Sequence, residues 1–146
     1  MKRLLQMQFI PTNLDLGLLV LRVSVAFTLF LNHGWSKASN YSELATKFGD
    51  PIGVGPHFSL LFATTSDAIC SVLIALGLAT RWACAVNIIN LSVALIFVHH
   101  FKLTTGPGSG EVAWLYLCVV IALFIVGPGR YSIDGGPRGE GSTSNS

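Results

Sequence analysis

Long runs of hydrophobic residues, separated by short polar stretches, make up most of this chain. Each run is close to the length that a bilayer-crossing helix needs, which is about 20 residues. Backbone groups surrounded by lipid must form their hydrogen bonds within the segment, so we expect helices. The pattern therefore predicts an all-α fold, an integral membrane four-helix bundle in residues 1–134. Its spans are predicted at about 14–31, 58–79, 82–100 and 111–127.

The two ends of the chain depart from this pattern. Residues 135–146 are rich in Gly, Ser and Thr, and we predict a disordered tail there. Lys2 and Arg3 would suit a signal peptide, but polar residues interrupt the apolar stretch after them and no small-residue cleavage site follows. We therefore predict no signal peptide. Thr12 and Asp15 have the spacing of a capping box, which would begin the first helix.

Composition agrees with a membrane protein. The chain is 51% hydrophobic and 11% charged, with a mean hydropathy of +0.62, which is too apolar for a soluble domain. A net charge of +2 gives no reason to expect nucleic-acid binding. Cys70, Cys84 and Cys118 all fall within spans and form no CxxC motif, so we interpret them as packing residues.

The basic residues between the spans predict an orientation. Four spans place both termini on one side of the membrane, and the positive-inside rule favours the more basic side as the cytoplasm. Five basic residues fall on the side of the termini and three on the other, so both termini are predicted to be cytoplasmic. The first set is Lys2, Arg3, Arg81, Arg130 and Arg138, and the second is Lys37, Lys47 and Lys102.

Two charged residues fall within the hydrophobic spans. Arg22 lies in the first span and Asp67 in the second, where a charge costs about 2.5–3.5 kcal/mol even on lenient insertion scales. Their predicted heights in the bundle differ by about 6 Å, which an arginine side chain can cover. We therefore expect the two to pair, either to build a polar floor for a ligand or only to fix the helix register.

Polar residues collect at the outer end of the predicted bundle. Antiparallel threading brings every histidine of the chain to that end, together with the carboxylate that begins the last span. Each span also has one more polar face, which predicts a polar seam leading to the outer mouth. The residues at this end are His33, Trp35, Lys37, His57, His99, His100, Glu111 and Trp114. Single histidines and tryptophans there can also be simple headgroup anchors.

The longest connection, residues 35–56, is predicted to lie over this mouth as a lid. Asn40 and Glu43 are placed to cap a short helix over residues 41–48. Gly49 followed by Asp50 and Pro51 would end that helix.

Several short motifs resemble the DoxX family of small bacterial membrane proteins. They are Leu21-Arg22, His33-Gly34 with Lys37, the run 76–81, Gly110-Glu111 and the closing run Gly127–Asp134, which is the most specific. The resemblance extends over residues 18–134 and implies a four-helix, multi-pass protein of the bacterial cytoplasmic (inner) membrane. It also implies an oxidoreductase-type subunit, since the founding member is similar to a small subunit of a thiosulfate:quinone oxidoreductase. We do not carry the thiosulfate substrate over.

The leading hypothesis is a membrane subunit of a quinone-linked oxidoreductase system, with its site at the outer mouth. A quinone head needs polar groups at its carbonyls, a proton carrier and an apolar slot that opens sideways to lipid. The candidate catalytic residues are His33, Glu111 and Lys37. The candidate cofactor-binding residues are Arg22, Asp67, Trp35, Trp114 and His99. No glycine loop suits a flavin or a nucleotide, so a partner redox protein or a lipid-soluble substrate would supply electrons.

Other readings remain open at this point. The chain can be a non-catalytic membrane anchor or assembly factor for a partner redox protein, or a small transporter if it forms a homo-oligomer. His33 with either His99 or His100 can ligate a haem, but the adjacent pair cannot both face one iron, since they point about 100° apart. No metal site is predicted. The sequence leaves open whether the chain is catalytic alone.

Overall fold

Helices account for all the regular structure in the part of the chain that the computed structural model describes, residues 12–135, which contains no strand. Four of them are long: α1 (Leu14–Ser39), α3 (Pro56–Leu76), α4 (Thr80–Val98) and α5 (Glu111–Val126). The short helix α2 (Tyr41–Leu44) follows α1. The predicted disordered tail lies outside the described residues apart from Gly135, as do Lys2 and Arg3.

Consecutive long helices run antiparallel. The first half of α1 packs against the last turns of α3, and α4 packs along α5. We call the end where α1 begins and α5 ends the proximal end, and the opposite end the distal end. Between the helices lies one apolar core, which includes Leu18, Val25, Cys70, Ile74, Cys84, Leu91, Val120 and Leu123.

The all-helical prediction is confirmed for the described residues. α1, α3 and α4 are long and apolar enough to cross a membrane, and α5 is apolar but has only 16 residues. Large apolar side chains cover the outside of the helices, as lipid contact requires; Trp82, for example, is 80% exposed. The chain is thus a membrane protein with three to four apolar helices that contact the bilayer. The cytoplasmic placement of its termini stays a prediction.

The helix boundaries differ most from the predicted ones in two places. α1 continues beyond residue 31 to Ser39, because the helix widens to a π-helical turn at Phe30–Trp35 and then resumes. α3 stops at Leu76, before residue 79, because Gly77 adopts φ +70°. That left-handed conformation is open to glycine without strain, and it turns the chain into α4.

Two capping predictions were wrong. Asn13, and not Thr12 with Asp15, caps α1: its side chain accepts a hydrogen bond from Leu16 N at 3.0 Å. Asn40 lies at the N-cap position of the short helix, but its side chain does not cap it. Its side-chain amide instead donates to Ser36 O at 2.9 Å.

The end of the chain crosses the proximal end of the bundle as residues 127–135, here called the C-terminal strap. Gly127 ends α5 as predicted. The strap is joined to α1 where Arg130 N donates to Asp15 Oδ1 at 2.9 Å. It is joined to the α3–α4 turn where Asp134 N donates to Gly77 O at 2.8 Å.

Arg22 is the buried anchor of this strap, and its predicted pairing with Asp67 was wrong. The guanidinium donates to Pro128 O at 3.0 Å and to Tyr131 O, and the residue is 1% exposed. The cause is helix geometry: Cα–Cβ bonds lean toward the N-terminus of their own helix. In antiparallel α1 and α3, Arg22 therefore leans toward the proximal end and Asp67 toward the distal end.

Asp134 completes the proximal network by capping α4. Its carboxylate accepts from Thr80 N at 2.8 Å, Ala79 N at 2.9 Å and Thr80 Oγ1 at 3.0 Å. These hydrogen bonds, the one from Thr80 N first, hold the pKa of Asp134 below its usual value, and the positive charge of Arg22 adds to the effect. The strap thus supplies the N-terminal cap that α4 lacks in its own sequence.

Replacing Arg22 by Met is expected to lower stability substantially. Hydrogen bonds to a charged group contribute about 1.5–3 kcal/mol each, and the variant leaves two carbonyl groups without their donor, so we expect a loss of about 2–4 kcal/mol. Unfolding in a mild detergent, followed by helical circular dichroism, measures it. The matched control is Arg130→Met, which removes an exposed side chain of the strap. Equal losses in both variants would contradict the role given to Arg22.

The stabilising contribution of Asp134 is expected to depend on pH. Because the folded-state pKa is lowered, the contribution is fully present above the unfolded-state value of about 3.9 and is lost as the pH falls through the folded-state pKa. The Tm difference between wild type and Asp134→Asn should therefore be clear at pH 6 and should shrink as the pH falls below about 4. Glu43→Gln, at an exposed surface pair, is the control. A difference that persists unchanged at pH 3 would show that the charge of Asp134 is unimportant.

Candidate functional site: a distal cavity with a buried ion pair

A cavity of about 780 Å³ opens among the distal halves of the helices. Its wall is mostly apolar, with polar groups contributed by each of the four long helices. The polar lining residues are His33, Lys37, Ser59, Asp67, Asn90, His99, Ser109 and Tyr116. Phe48, Gly49, Pro51, Ile52 and Val54 line it from the connection before α3. This is the size and character of sites that bind small amphiphilic molecules, which typically measure about 300–1,000 Å³.

An ion pair between Lys37 and Asp67 forms the polar wall of the cavity. Lys37 Nζ contacts Asp67 Oδ2, and Asn90 Nδ2 donates to Asp67 Oδ1 at 2.9 Å. The Asp67 side chain is 4% exposed and that of Lys37 is 22% exposed. Both carboxylate oxygens are thus occupied, whereas Lys37 keeps donors that are not used on Asp67. Lys37 is therefore the group that can bind a ligand, and Asp67 is the group that holds it.

The close approach of α1 and α3 positions this pair. A Cβ atom on Gly34 would lie 2.5 Å from Asp67 O and 2.8 Å from Ala68 Cα, so only glycine fits at that crossing. Two π-helical turns meet there, Phe30–Trp35 of α1 and Thr65–Cys70 of α3. Such turns are rare and frequently mark functional sites. They bring Lys37, one turn beyond Gly34, onto the Asp67 carboxylate.

His33 lies in the same wall. Its ring meets that of Tyr116 edge to face, with ring centroids 5.9 Å apart and an interplanar angle of 89°. This contact orients the imidazole beside the cavity. Its nitrogens form no hydrogen bond to any residue between 12 and 135, so they are available to a ligand.

His99 enters the cavity from the end of α4. Its Nδ1 lies 3.1 Å from Gly108 O, and because a carbonyl only accepts, Nδ1 carries the proton. In the neutral ring Nε2 is then a hydrogen-bond acceptor. His33 and His99 thus differ in what they offer: the first has both nitrogens free, and the second has one acceptor.

The connection before α3 covers the cavity as predicted for a lid, and Asp50 fixes its shape. The Asp50 carboxylate accepts from Gly55 N at 2.8 Å, Val54 N at 3.0 Å and Ser59 Oγ at 3.1 Å. The first of these holds the pKa of Asp50 below its usual value. Because Ser59 belongs to α3, the carboxylate ties the lid, residues 48–54, to that helix.

The structure brings together only some of the predicted site residues. His33, Lys37, Asp67 and His99 line the cavity. The other four candidates are not part of its wall. Arg22 lies at the proximal end, Glu111 is exposed at the start of α5, Trp35 is 61% exposed beside Phe30, and Trp114 is 41% exposed.

Four polar cavity residues were missed as candidates: Ser59, Asn90, Ser109 and Tyr116. Asn90 belongs to the predicted polar seam, and its spacing from Asn87 on one helix face was the signal. Asn87 lies one turn further from the distal end than Asn90. Its Oδ1 accepts from Ser66 Oγ at 3.1 Å, and its Nδ2 donates to Ser66 O at 3.2 Å. Tyr116 carried no signal, because a single aromatic residue in an apolar span is common.

The donor set suits an uncharged polar head better than a metal ion. Among residues 12–135, no three His, Cys, Asp or Glu side chains are grouped to hold a metal. All three cysteines are free thiols, two of them in the core. The compensated Lys37–Asp67 pair leaves no net charge for an ion, but offers donors to a carbonyl oxygen.

Comparison with known proteins agrees with this fold. Residues 17–100 match the DoxX family, so more than half of the chain is covered and the chain belongs to that family. It is similar to an uncharacterized protein of Haemophilus influenzae, with 29% identity over 125 residues that cover 78% of this chain and 85% of that protein. No solved structure matches the chain.

Breaking the buried ion pair from one side is expected to destabilise the protein. Lys37→Met leaves Asp67 buried without its partner, which typically costs about 3–5 kcal/mol. Adding Asp67→Asn should recover part of that loss, because the uncompensated charge is removed. Unfolding in detergent of the single and double variants gives the coupling energy.

Lys47→Met is the matched control for this cycle. It removes an exposed pair with Glu43, where both side chains are about 70% exposed, so a change within about 0.5 kcal/mol is expected. If Lys37→Met were as mild as Lys47→Met, the pair would not be the buried interaction described here.

Proposed function

We propose that this chain is the membrane subunit of a quinone-linked redox system of the bacterial inner membrane, and that the distal cavity holds the quinone head group. The observation that carries the proposal is a charge-compensated lysine that faces a mostly apolar cavity within a membrane protein. DoxX family membership adds support, because the founding member resembles a subunit of a quinone-reducing enzyme.

The donors and acceptors of the wall suit both redox forms of such a head. A quinone carbonyl only accepts, and Lys37 and His33 have donors to offer it. A quinol hydroxyl also donates, and it is matched by acceptors on the facing helix. These are Asn90 Oδ1, whose amide nitrogen is held on Asp67, and His99 Nε2.

The residues of the wall have separate roles in the proposal. A bound quinone would supply acceptance or release of two electrons and two protons. Lys37 stabilises negative charge on the near carbonyl oxygen, and Asp67 with Asn90 keeps that ammonium group in place. His33, half-buried beside Tyr116, holds or moves a proton. We further propose that a partner redox protein supplies the electrons.

Binding of a soluble benzoquinone with one isoprenoid unit tests the proposal. We expect saturable binding to the purified protein, measured by tryptophan fluorescence quenching or calorimetry. Lys37→Met should weaken it about tenfold or more, because one hydrogen bond to a charged donor is lost. Asn90→Leu should weaken it less, through misplacement of Asp67 and Lys37.

His57→Ala is the matched control, since this histidine is exposed and does not line the cavity. Glu111→Gln tests whether the site is the cavity or the wider set of residues predicted at the outer mouth. Because Glu111 does not line the cavity, we expect this variant to bind the quinone with wild-type affinity. The same affinity in Lys37→Met and His57→Ala would contradict the proposal. A stoichiometric partner protein without any quinone in the purified complex would favour a membrane anchor or assembly factor instead.

A further inference from the structure

The distal halves of α3 and α4 do not pack against each other. Within the described residues, Pro56–Thr64 packs on the distal part of α1, and the main contacts between α4 and α3 begin at Thr65. The separation begins at the level of Asp67, where α3 is drawn onto α1 at Gly34. A gap between α3 and α4 therefore opens from this point to the distal end.

Apolar side chains line both sides of this gap. Phe58 and Phe62 come from α3, and Ile89 and Val93 come from α4. Phe58 is 58% exposed and Ile89 is 55% exposed, although both also line the cavity. Residues that line a cavity and are also exposed mark its opening. The cavity is thus continuous with the outside of the bundle through the gap.

The gap lies at the depth of the hydrocarbon core. Ile89 is at the middle of α4, about 14 Å from its distal end at 1.5 Å per residue. The surrounding outer surface consists of the apolar residues that contact lipid. The lid, residues 48–54, meanwhile covers the distal side of the same cavity. A molecule that leaves through the gap therefore meets acyl chains and not water.

We infer that the gap between α3 and α4 is a lateral opening to the membrane that holds the isoprenoid tail of the bound quinone, with the head group at Lys37. The inference rests on the proposed function. It adds the path by which the quinone enters from the membrane and the site that binds its tail. The occupant follows from continuity: a polar head site leads without interruption into an apolar slot that ends in lipid. A molecule bound in both must carry a polar head and an apolar chain.

A pair of probes and a matched pair of variants test this inference. The probes are benzoquinones with the same head, one with a single isoprenoid unit and one with a ten-carbon chain. Ile89→Trp places a bulky side chain in the gap. Ile96→Trp makes the same change on the same helix at a lipid-facing position, 44% exposed, that does not line the cavity.

The wild type should bind the long-chain probe about tenfold or more tightly than the short one, because the chain is buried in the gap. Ile89→Trp should remove that preference, so that the two probes bind with similar affinity, and Ile96→Trp should keep the preference. A retained preference in Ile89→Trp would overturn the lateral opening while leaving the proposed function intact. Failure of the wild type to bind either probe would overturn both.

A second measurement covers the case in which the tryptophan variant does not fold. Ile89→Cys is made together with Cys118→Ser, which removes the exposed thiol of the chain. The long-chain quinone should slow labelling of the introduced thiol by a lipid-soluble maleimide at least fivefold, and the short-chain quinone should not. Equal labelling rates with and without the long probe would overturn the lateral opening.

Discussion

The opposite directions of two buried charged side chains give this bundle a separate polar network at each end. Cα–Cβ bonds point toward the start of their helix, so Arg22 in α1 and Asp67 in the antiparallel α3 reach away from each other. Each charged group then needs a hydrogen-bonding or ionic partner at its own end of the bundle, because water is absent from the membrane interior. Arg22 finds backbone carbonyls of the strap, and Asp67 finds Lys37 and Asn90.

The distal end shows how one close contact creates an open space elsewhere. Gly34 allows α1 and α3 to approach at Asp67, and this places Lys37 on the carboxylate. From that point to the distal end, α3 packs against α1 and is separated from α4. The cavity is therefore a consequence of the ion pair's position. The lid adds the remaining wall, and Asp50 joins it to α3 through Ser59.

Much of this architecture could be predicted from the sequence. Apolar run lengths identified the long helices, and antiparallel threading placed His33, Lys37 and His99 at one end. The Arg22–Asp67 pairing failed because residue heights along a helix say nothing about the direction of a side chain. The π-helical turns also left no signal in the hydrophobic pattern, so α1 was ended too early. Glu111 and the two tryptophans do lie at the predicted end. Whether a side chain points into the cavity depends on how the helices pack, and sequence spacing alone does not determine that.

The proximal strap is recognised mainly through its backbone. Arg22 contacts the carbonyl oxygens of Pro128 and Tyr131, and the Tyr131 side chain itself is 51% exposed. What Arg22 recognises is the path of the main chain, which the Gly-Pro-Gly turn sets, and the only strap carboxylate in the network is that of Asp134. Substitution of the exposed side chains on this surface can therefore leave the same closure intact. A surface of that kind can be adapted to different binding proteins without disturbing the membrane helices beneath it.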